Sequence, residues 1–359
     1  MRILLVETKI SGHHLSYAKC LVGGKDAQYI FAVPSNIEIP EFPCSVIKLN
    51  CGKSEDGIIW YQRFINEIKR VADENNVDVI HFLYGDVFLK YFGYRFNTLK
   101  KYKLIMTFHQ FRYSMLRNYS RKVFFKRITY GVVHTESLRD HLNEAEITNV
   151  IQIEYPQFNS AHAFDKKIAK DKLNIKNDKP ILLALGGTRF DKGLDILLRS
   201  LNRVDKPFNL LVAGKEESFK RDFIEEACKT FKENVILKLN FLTDEEFALC
   251  LNAADYVVLP YRKTFDGASG PLGEGVALKK PIIGACHGSI GKIITKNTIG
   301  YTFETESVDD LTEKLNIALS KPFPWNEQAE KYRLSLLPQK FLEAYTSLYK
   351  ASINRVNIE

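Results

Sequence analysis

The chain has 359 residues, which is more than one hydrophobic core usually accommodates, so the length favours two domains of ordinary size. Hydrophobic residues make up 45% and charged residues 26%, a balance that excludes a disordered chain. The net charge of +8 permits an anionic partner such as a nucleotide, an anionic membrane surface or nucleic acid, and does not choose among them.

The apolar runs are short. None approaches the roughly 20 residues of a membrane-spanning helix, and the first residues do not resemble a signal peptide. We therefore expect a cytoplasmic protein. The six cysteines are scattered without a C-x-x-C pair, which argues against a disulfide framework or a structural zinc site.

Short β-branched runs alternate with helical patterns in both halves of the chain. This alternation predicts two doubly wound α/β domains, each with a parallel sheet covered on both faces. One clear helical pattern is 58–74, whose apolar residues fall on one face. Strands are expected near 2–6, 28–33, 78–83, 103–108, 129–134 and 149–153, and then near 181–185, 209–213, 234–238, 256–259, 281–285 and 300–303.

The alternation of strands and helices is interrupted by a polar, Lys- and Asp-rich stretch, and the last part of the sequence has a long helical pattern. We predict a first domain over 1–155, a linker over 156–179 and a second domain over 180–325. The last segment, 326–359, is predicted to contain one long helix over 326–350 that packs back on the first domain.

The segment 260–275 follows an apolar strand and is rich in small residues. Ser269 is suited to cap the helix that follows, and Pro271 falls in its first turn. The exposed N–H groups and the helix dipole together suit a diphosphate. Glu274, one turn into the helix, could accept hydrogen bonds from a ribose diol. The alternative is a Gly-rich turn with a surface glutamate.

The segment 186–193 follows another buried strand. Gly186 and Gly187 allow a ligand close to the backbone, while Arg189 and Lys192 could neutralise phosphate charge. The alternative is that both are ordinary surface cations. The pattern of a Walker loop is absent.

Two segments of the first domain also follow strands. Gly12 lies in the first of them, beside His13 and His14, but G-x-G-x-x-G is missing, which disfavours an NAD or FAD enzyme. His109 follows Thr107 at a strand end and could contact a substrate oxygen, although a lone histidine there is more often structural. The motifs D-x-D, H-E-x-x-H and G-x-S-x-G are all absent from the sequence.

Together these segments resemble the retaining GT-B glycosyltransferases of family 4. That family carries two acidic residues separated by seven others, and Asp266 and Glu274 keep the spacing. Gly267, Pro271 and Leu272 keep their places, although Asp266, Ala268 and Ser269 depart from the usual residues. Lys192-Gly193 matches the family's Lys-Gly, and Thr107 with His109 matches its strand-end T-x-H.

The resemblance implies two Rossmann-like domains facing across a cleft and a metal-independent retaining enzyme without a separate cofactor. The donor would be a UDP- or GDP-linked sugar, and the acceptor a glycan or lipid-linked glycan of bacterial surface polysaccharide synthesis. Glu274 would hold the ribose, with Arg189 and Lys192 on the diphosphate. The remaining roles are donor-sugar binding by Asp266 and His109, and close backbone approach at Gly12, Gly187, Gly267, Ala268, Ser269 and Gly270.

Residues 87–130 are rich in both aromatic and basic side chains. This composition suits peripheral contact with the anionic inner surface of the membrane, and equally a solvated basic helix with a buried aromatic face. Two other function classes remain open. One is a GT-B nucleotide-sugar 2-epimerase, with His13, His14 and Asp266 as candidate acid–base groups. The other is a non-catalytic nucleic-acid or membrane-binding module, which leaves 186–193 and 266–274 unexplained; we expect no nucleic-acid partner.

Overall fold

The computed structural model describes residues 1–10, 14–52, 57–109, 115–158, 164–265 and 268–354, without the side chains of Met115 and Leu116. The chain divides into two compact units. The first unit is Met1–Pro156 with Pro338–Glu359, and the second is Gln157–Leu337. Each unit is built on one parallel sheet, so the predicted pair of doubly wound α/β domains is confirmed.

The first unit has a seven-stranded sheet in the order β3-β2-β1-β4-β5-β6-β7. Its strands are nearly continuous apolar runs because helices cover both faces. They are β1 (Arg2–Val6), β2 (Gln28–Pro34), β3 (Ser45–Leu49), β4 (Val79–Phe82), β5 (Lys103–Phe108), β6 (Tyr130–Val133) and β7 (Val150–Gln152). The helices are α1 (His14–Leu21), α2 (Ile58–Glu74), α3 (Met115–Phe125), α4 (Glu136–Glu144) and α13 (Pro338–Asn354), with 3₁₀ turns at Gly85–Tyr91 and Phe96–Leu99.

The second unit has a six-stranded sheet in the order β10-β9-β8-β11-β12-β13, with a separate hydrophobic core on each face. Its strands are β8 (Ile181–Leu185), β9 (Asn209–Ala213), β10 (Val235–Lys238), β11 (Tyr256–Leu259), β12 (Ile282–Ala285) and β13 (Gly300–Phe303). Its helices are α5 (Lys166–Lys172), α6 (Leu194–Leu201), α7 (Arg221–Ala227), α8 (Asp244–Ala253), α9 (Gly270–Ala277), α10 (Gly288–Asn297), α11 (Val308–Ser320) and α12 (Glu327–Ser335), with 3₁₀ turns at Phe190–Lys192 and Lys229–Asn234.

Two features of the predicted organisation are wrong. The segment 156–179 is not a linker between the domains, because from Gln157 it belongs to the second unit, where Asp165 caps α5 and that helix packs against α8. The predicted helix over 326–350 is two helices, α12 and α13. Pro338 separates them, since it disfavours a helical conformation at Leu337 and fits the first turn of a new helix. Only α13 belongs to the first unit, where it packs against α1.

Each sheet has one point at which the strand order reverses. In the first sheet it lies between β1 and β4, and in the second between β8 and β11. In open parallel sheets a crevice forms beyond the carboxyl ends of the two strands at such a point, and ligands bind there. The segments that follow these four strands are therefore the places to look for a site.

Candidate functional site

The segments after β8 and β11 meet through one lysine. Lys192 Nζ donates a hydrogen bond to the Tyr261 hydroxyl at 3.1 Å and lies over the rings of Tyr261 and Phe265, at 4.9 and 6.0 Å from their centroids. Tyr261 is buried, so its ring fixes the position of the ammonium group. Within the described ranges no carboxylate lies within 4 Å of Lys192 Nζ. A positive charge is thus held at the reversal point of the second sheet.

The start of α9 is joined to the same contact. The Tyr261 hydroxyl lies 3.2 Å from Ser269 Oγ, and Ser269 caps the helix by accepting a hydrogen bond from the Leu272 N–H. Pro271 occupies the first turn, as the sequence predicts. The N–H groups at the start of a helix and its dipole attract anions. The lysine and the helix terminus, which are far apart in sequence, are therefore brought together by Tyr261.

Glycines determine how closely the two segments approach. Gly193 has φ +63°, and a Cβ added there would lie 1.9 Å from the Pro260 carbonyl oxygen. Gly186 has φ +111°, and a Cβ there would lie 2.8 Å from Lys192 Nζ. Any other residue at either position would separate the two segments or displace the ammonium group.

Arg189 is held by an acidic neighbour. Its guanidinium donates from Nε and Nη2 to the two carboxylate oxygens of Asp191, at 2.9 and 2.7 Å. This hydrogen-bonded contact lowers the pKa of Asp191. Glu217 packs beside the same segment, where its Oε2 would lie 2.7 Å from a Cβ added at Gly187. Asp191 therefore engages N–H groups on Nε and Nη2 of Arg189. Only the remaining N–H groups can contact a ligand.

Glu274 lies inside the second unit. It is 3% exposed, and its Oε1 accepts a hydrogen bond from the Phe158 N–H at 2.6 Å. A buried carboxylate needs such donors because burial penalises its charge. Gly12, Asp266 and Gly267 fall outside the described residues, whereas Gly187, Ala268 and Gly270 are half-buried beside the contacts above.

In the first unit, His109 follows β5 and is fixed from two sides. Its backbone N–H donates to Asp86 Oδ2 at 3.0 Å, and its Nε2 lies 2.9 Å from the Leu83 carbonyl oxygen. A carbonyl only accepts, so Nε2 carries a proton, and in the neutral ring Nδ1 keeps a lone pair. The ring therefore offers an acceptor to a ligand at the carboxyl edge of this sheet.

A buried carboxylate follows β1. Glu7 is 1% exposed, and its Oε1 accepts from the N–H groups of Thr8 and Lys9 at 2.7 and 3.1 Å. Its Oε2 lies 3.0 Å from His14 Nδ1. The centroid of the His14 ring lies 5.9 Å from the centroid of the His109 ring. Two histidines and a carboxylate thus occupy the reversal point of the first sheet.

Beneath His109 runs a chain of buried side chains that ties α13 to the sheet. The distances are 2.7 Å from Tyr349 Oη to His81 Nδ1, 2.9 Å from His81 Nε2 to Thr107 Oγ1, 2.9 Å from Thr107 Oγ1 to Tyr345 Oη, 2.5 Å from Tyr345 Oη to Tyr17 Oη and 3.2 Å from Tyr17 Oη to His134 Nε2. The chain ends where His134 Nδ1 lies 2.9 Å from the Ile153 carbonyl oxygen.

That carbonyl fixes the direction of every hydrogen bond in the chain. Because it only accepts, His134 donates from Nδ1 and must accept at Nε2 from Tyr17. Tyr17 then accepts from Tyr345, which accepts from Thr107. Thr107 has one hydroxyl proton, which it donates to Tyr345, so it accepts from His81 Nε2. His81 Nδ1 therefore accepts from Tyr349.

Both histidines of this chain must be neutral. Burial lowers the pKa of His81 and of His134 to about 3, and the nearby His109 contributes to both shifts. A protonated imidazole has no acceptor nitrogen, so a proton on either ring would reverse or break hydrogen bonds along the chain. The chain therefore depends on two uncharged imidazoles.

The second unit is similar to a known family of proteins. Residues 165–333 match the glycosyl transferases group 1 family. The match covers just under half of the chain and nearly the whole of the second unit. An uncharacterized glycosyltransferase of Methanocaldococcus jannaschii is 27% identical over 150 residues, which are 41% of this chain and 40% of that protein.

Solved structures share the fold over nearly the whole chain. Sucrose-phosphate synthase of Thermosynechococcus elongatus has a TM-score of 0.78 at 16% identity, with 98% of each chain covered. The HepE protein of Anabaena, in complex with UDP, has a TM-score of 0.76 at 12% identity, with 98% of this chain and all of that chain covered. HepE has also been solved with UDP-glucose. The two units therefore have the GT-B glycosyltransferase fold.

The aromatic and basic segment 87–130 separates into two parts. Its aromatic side chains largely form the core, and those buried are Phe88, Phe96, Tyr102, Phe108, Phe124 and Phe125. Tyr94 and Tyr119 are exposed at 46% and 63%. In the part of the chain that the structure describes, no helix is both long and apolar enough to cross a membrane.

Several residues of these sites lack a signal in the sequence. Tyr261 and Phe265 lie in the small-residue segment, but nothing there shows that a tyrosine would fix Lys192. Glu7 directly follows an apolar strand, a position that could have identified it. Glu217 and His134 become recognisable only when the sheet brings distant segments together.

Proposed function

We propose that this protein is a retaining glycosyltransferase that moves a hexose from a nucleotide diphosphate sugar to a glycan or lipid-linked glycan acceptor. The observation that carries the proposal is the contact of Lys192 with Tyr261 and Ser269, which aligns a cation with the start of α9. The family match of the second unit and the GT-B fold of the whole chain support it.

The second unit would stabilise the leaving nucleoside diphosphate. As the bond between the anomeric carbon and the diphosphate breaks, negative charge grows on the phosphate oxygens. Lys192 and the N–H groups of residues 268–270 would neutralise that charge, with Arg189 as a second cation and no metal ion. Groups held in place before the reaction need no rearrangement, which is why such contacts are effective in catalysis.

The donor would be held by residues on both sides of the diphosphate. Glu274 would bind the ribose. Asp266 and the Nδ1 lone pair of His109 would bind sugar hydroxyls, while Gly12, Gly187 and Gly267 would permit close backbone contact. A UDP- or GDP-linked donor is proposed, and the UDP and UDP-glucose complexes of HepE support the first of these.

The acceptor oxygen would attack on the face that the diphosphate leaves, so the sugar keeps its anomeric configuration. A phosphate oxygen would take the acceptor proton. We assign the protein to bacterial surface polysaccharide synthesis in the cytoplasm, peripheral to the membrane, on the basis of the resemblance to family 4 and the exposed cations of 87–130.

The test is donor turnover with UDP- and GDP-hexoses in the presence of EDTA. Lys192→Ala should lower turnover by about 10²-fold or more, as loss of a preorganised charge contact does. Lys176→Ala is the matched control, because Lys176 is an exposed lysine of the same unit. Equal activity of the two variants would refute the role of Lys192. The anomeric proton of the product, followed by NMR, reports retention or inversion.

One observation favours a second candidate, a nucleotide-sugar 2-epimerase. The pair of buried Glu7 and half-buried His14 could move a proton, as epimerisation at C2 requires. Incubation of donor without acceptor separates the two functions. An isomerised sugar nucleotide would support the epimerase, whereas an unchanged donor that is consumed only with acceptor would support the transferase.

A further inference from the structure

A large cavity of the first unit lies away from the residues proposed to bind the donor. Its volume is about 860 Å³, and it opens at the amino ends of β5, β6 and β7. Lys103 begins β5, while Thr129 and Asn149 directly precede β6 and β7. We call this cavity the basic groove. No part of the proposed transferase reaction uses it.

The basic groove carries a strong excess of positive charge. Among the described residues, six cationic side chains line it against one carboxylate, that of Glu146. The six are Lys100, Lys101, Lys103, Lys122, Lys126 and Arg127. Like charges gathered in a cleft raise its potential and attract anions from solution.

Only part of this charge is balanced within the protein. Lys122 pairs with Glu146 at 3.2 Å, and Lys101 pairs with Asp73. Lys100 and Lys126 are both exposed and have no carboxylate within 4 Å among the described residues. At least these two ammonium groups are available to a ligand.

The floor of the groove is formed by the fold itself. The Asn149 side-chain amide donates to the carbonyl oxygens of Phe125 and Ile128, at 3.0 and 3.1 Å. Thr129 Oγ1 accepts from the Leu104 N–H at 2.9 Å. Buried Phe96 and Phe125 support this layer. The groove is therefore preformed, and a ligand would not have to order it.

The groove is remote from the carboxyl edge of the same sheet. β5 runs from Lys103 at the groove to Phe108, directly before His109. Six residues of extended strand span about 20 Å at roughly 3.3 Å per residue. A ligand in the groove would not reach a sugar at His109, so the groove would be a second, separate site.

We propose that the basic groove binds an anion that carries two or more phosphate groups. Lysine ammonium groups act as point charges without a fixed fork, which suits several phosphates spread over a wide cleft better than one planar carboxylate. The phosphates can come from a soluble polyphosphate or from the headgroups of a membrane lipid, since both present the same chemistry. The proposal is independent of the proposed reaction.

The experiment uses the full chain and two probes. Tripolyphosphate binding is measured by calorimetry at low and moderate salt, and vesicle binding by co-sedimentation with phosphatidylcholine alone or mixed with phosphatidylglycerol. The variant Lys100→Gln with Lys126→Gln is compared with Lys167→Gln with Lys176→Gln, a pair of exposed lysines of the second unit. Thermal unfolding checks that both double variants fold.

We expect the groove variant to weaken binding by about tenfold or more, since each lysine contributes separately to attraction by an anionic surface. Loss of tripolyphosphate binding identifies a soluble ligand, and loss of binding to anionic vesicles alone identifies a lipid headgroup. Binding that disappears only in Lys192→Ala would place the phosphate at the donor segments and overturn the groove site. Equal binding by both double variants, or none by the unmodified protein, would overturn it as well.

Discussion

The buried chain beneath His109 predicts an unequal response to two similar substitutions. Tyr345→Phe removes a hydroxyl from the middle of the chain, where it accepts from Thr107 and donates to Tyr17. Tyr349→Phe removes a hydroxyl from the end, where it only donates to His81. Both tyrosines are fully buried on α13, so solvent cannot replace the lost partners. The first change breaks two hydrogen bonds and the second breaks one.

The expected magnitudes follow from this count. A buried polar group left without its partner costs about 1–3 kcal/mol, so Tyr345→Phe should lower the free energy of unfolding of the first unit by about 3 kcal/mol. Tyr349→Phe should cost about half as much, since one acceptor is left without a donor. With a slope of about 2 kcal/mol per M urea, the unfolding midpoints should fall by roughly 1.5 and 0.8 M.

Tryptophan fluorescence can assign the loss to the correct unit. The chain has two tryptophans, Trp60 in α2 of the first unit and Trp325 in the second. In a Trp325→Phe background Trp60 alone reports unfolding, and its ring stacks on Phe64 at 4.9 Å. Tyr119→Phe is the control because Tyr119 is exposed at 63%. Equal midpoints for Tyr345→Phe and Tyr349→Phe would refute the two-to-one count of hydrogen bonds in the buried chain.

Three further outcomes follow from the structure. Lowering the pH from 7.5 to 5 should destabilise the first unit by about 2 kcal/mol for each of His81 and His134. In the unfolded chain both histidines become protonated below about pH 6.5, whereas in the folded protein their pKa values near 3 keep both rings neutral. An unfolding midpoint in urea, reported by Trp60, that does not change with pH would contradict this. Gly193→Ala should destabilise the second unit by about 2 kcal/mol or more. Gly273→Ala should stabilise it slightly, because a Cβ added there would have no other atom within 4 Å. Trp325 fluorescence in urea measures both, and equal unfolding midpoints would show that the close approach at Gly193 is not needed. Tyr261→Phe should lower donor turnover about fivefold through loss of one hydrogen bond to Lys192, and a rate equal to the unmodified protein would exclude the hydroxyl from positioning that cation.

Most strands could be predicted because a strand that is buried on both faces is apolar at nearly every position. Runs such as Ile181–Leu185 are apolar throughout and bounded by polar residues. β3 (Ser45–Leu49) is hard to predict because it is an edge strand in which all residues but Leu49 are exposed or half-exposed. α5 is hard to predict for a related reason, since most of its Lys-rich surface is solvated and Ala169 is its one buried residue.

The candidate site was accessible to sequence reasoning only in part. Lys192 and Ser269 are recognisable because they follow strands and accompany glycines. Their connection through Tyr261 cannot be recognised in the sequence, because it depends on Tyr261 being buried beside a strand that is distant in sequence. The pairing of Arg189 with Asp191 and the burial of Glu274 depend on side-chain rotation and packing, which residue spacing does not encode.

The place of α13 in the first unit has a consequence for synthesis on the ribosome. The second unit, Gln157–Leu337, lies wholly within the chain that emerges before Pro338. The first unit starts earlier but lacks Tyr345 and Tyr349 until the final helix has left the exit tunnel, so His81 and Tyr17 must wait for their partners. The domain that is translated first should therefore be the last to reach its native state, and nascent chains arrested before α13 should expose it to proteases and chaperones.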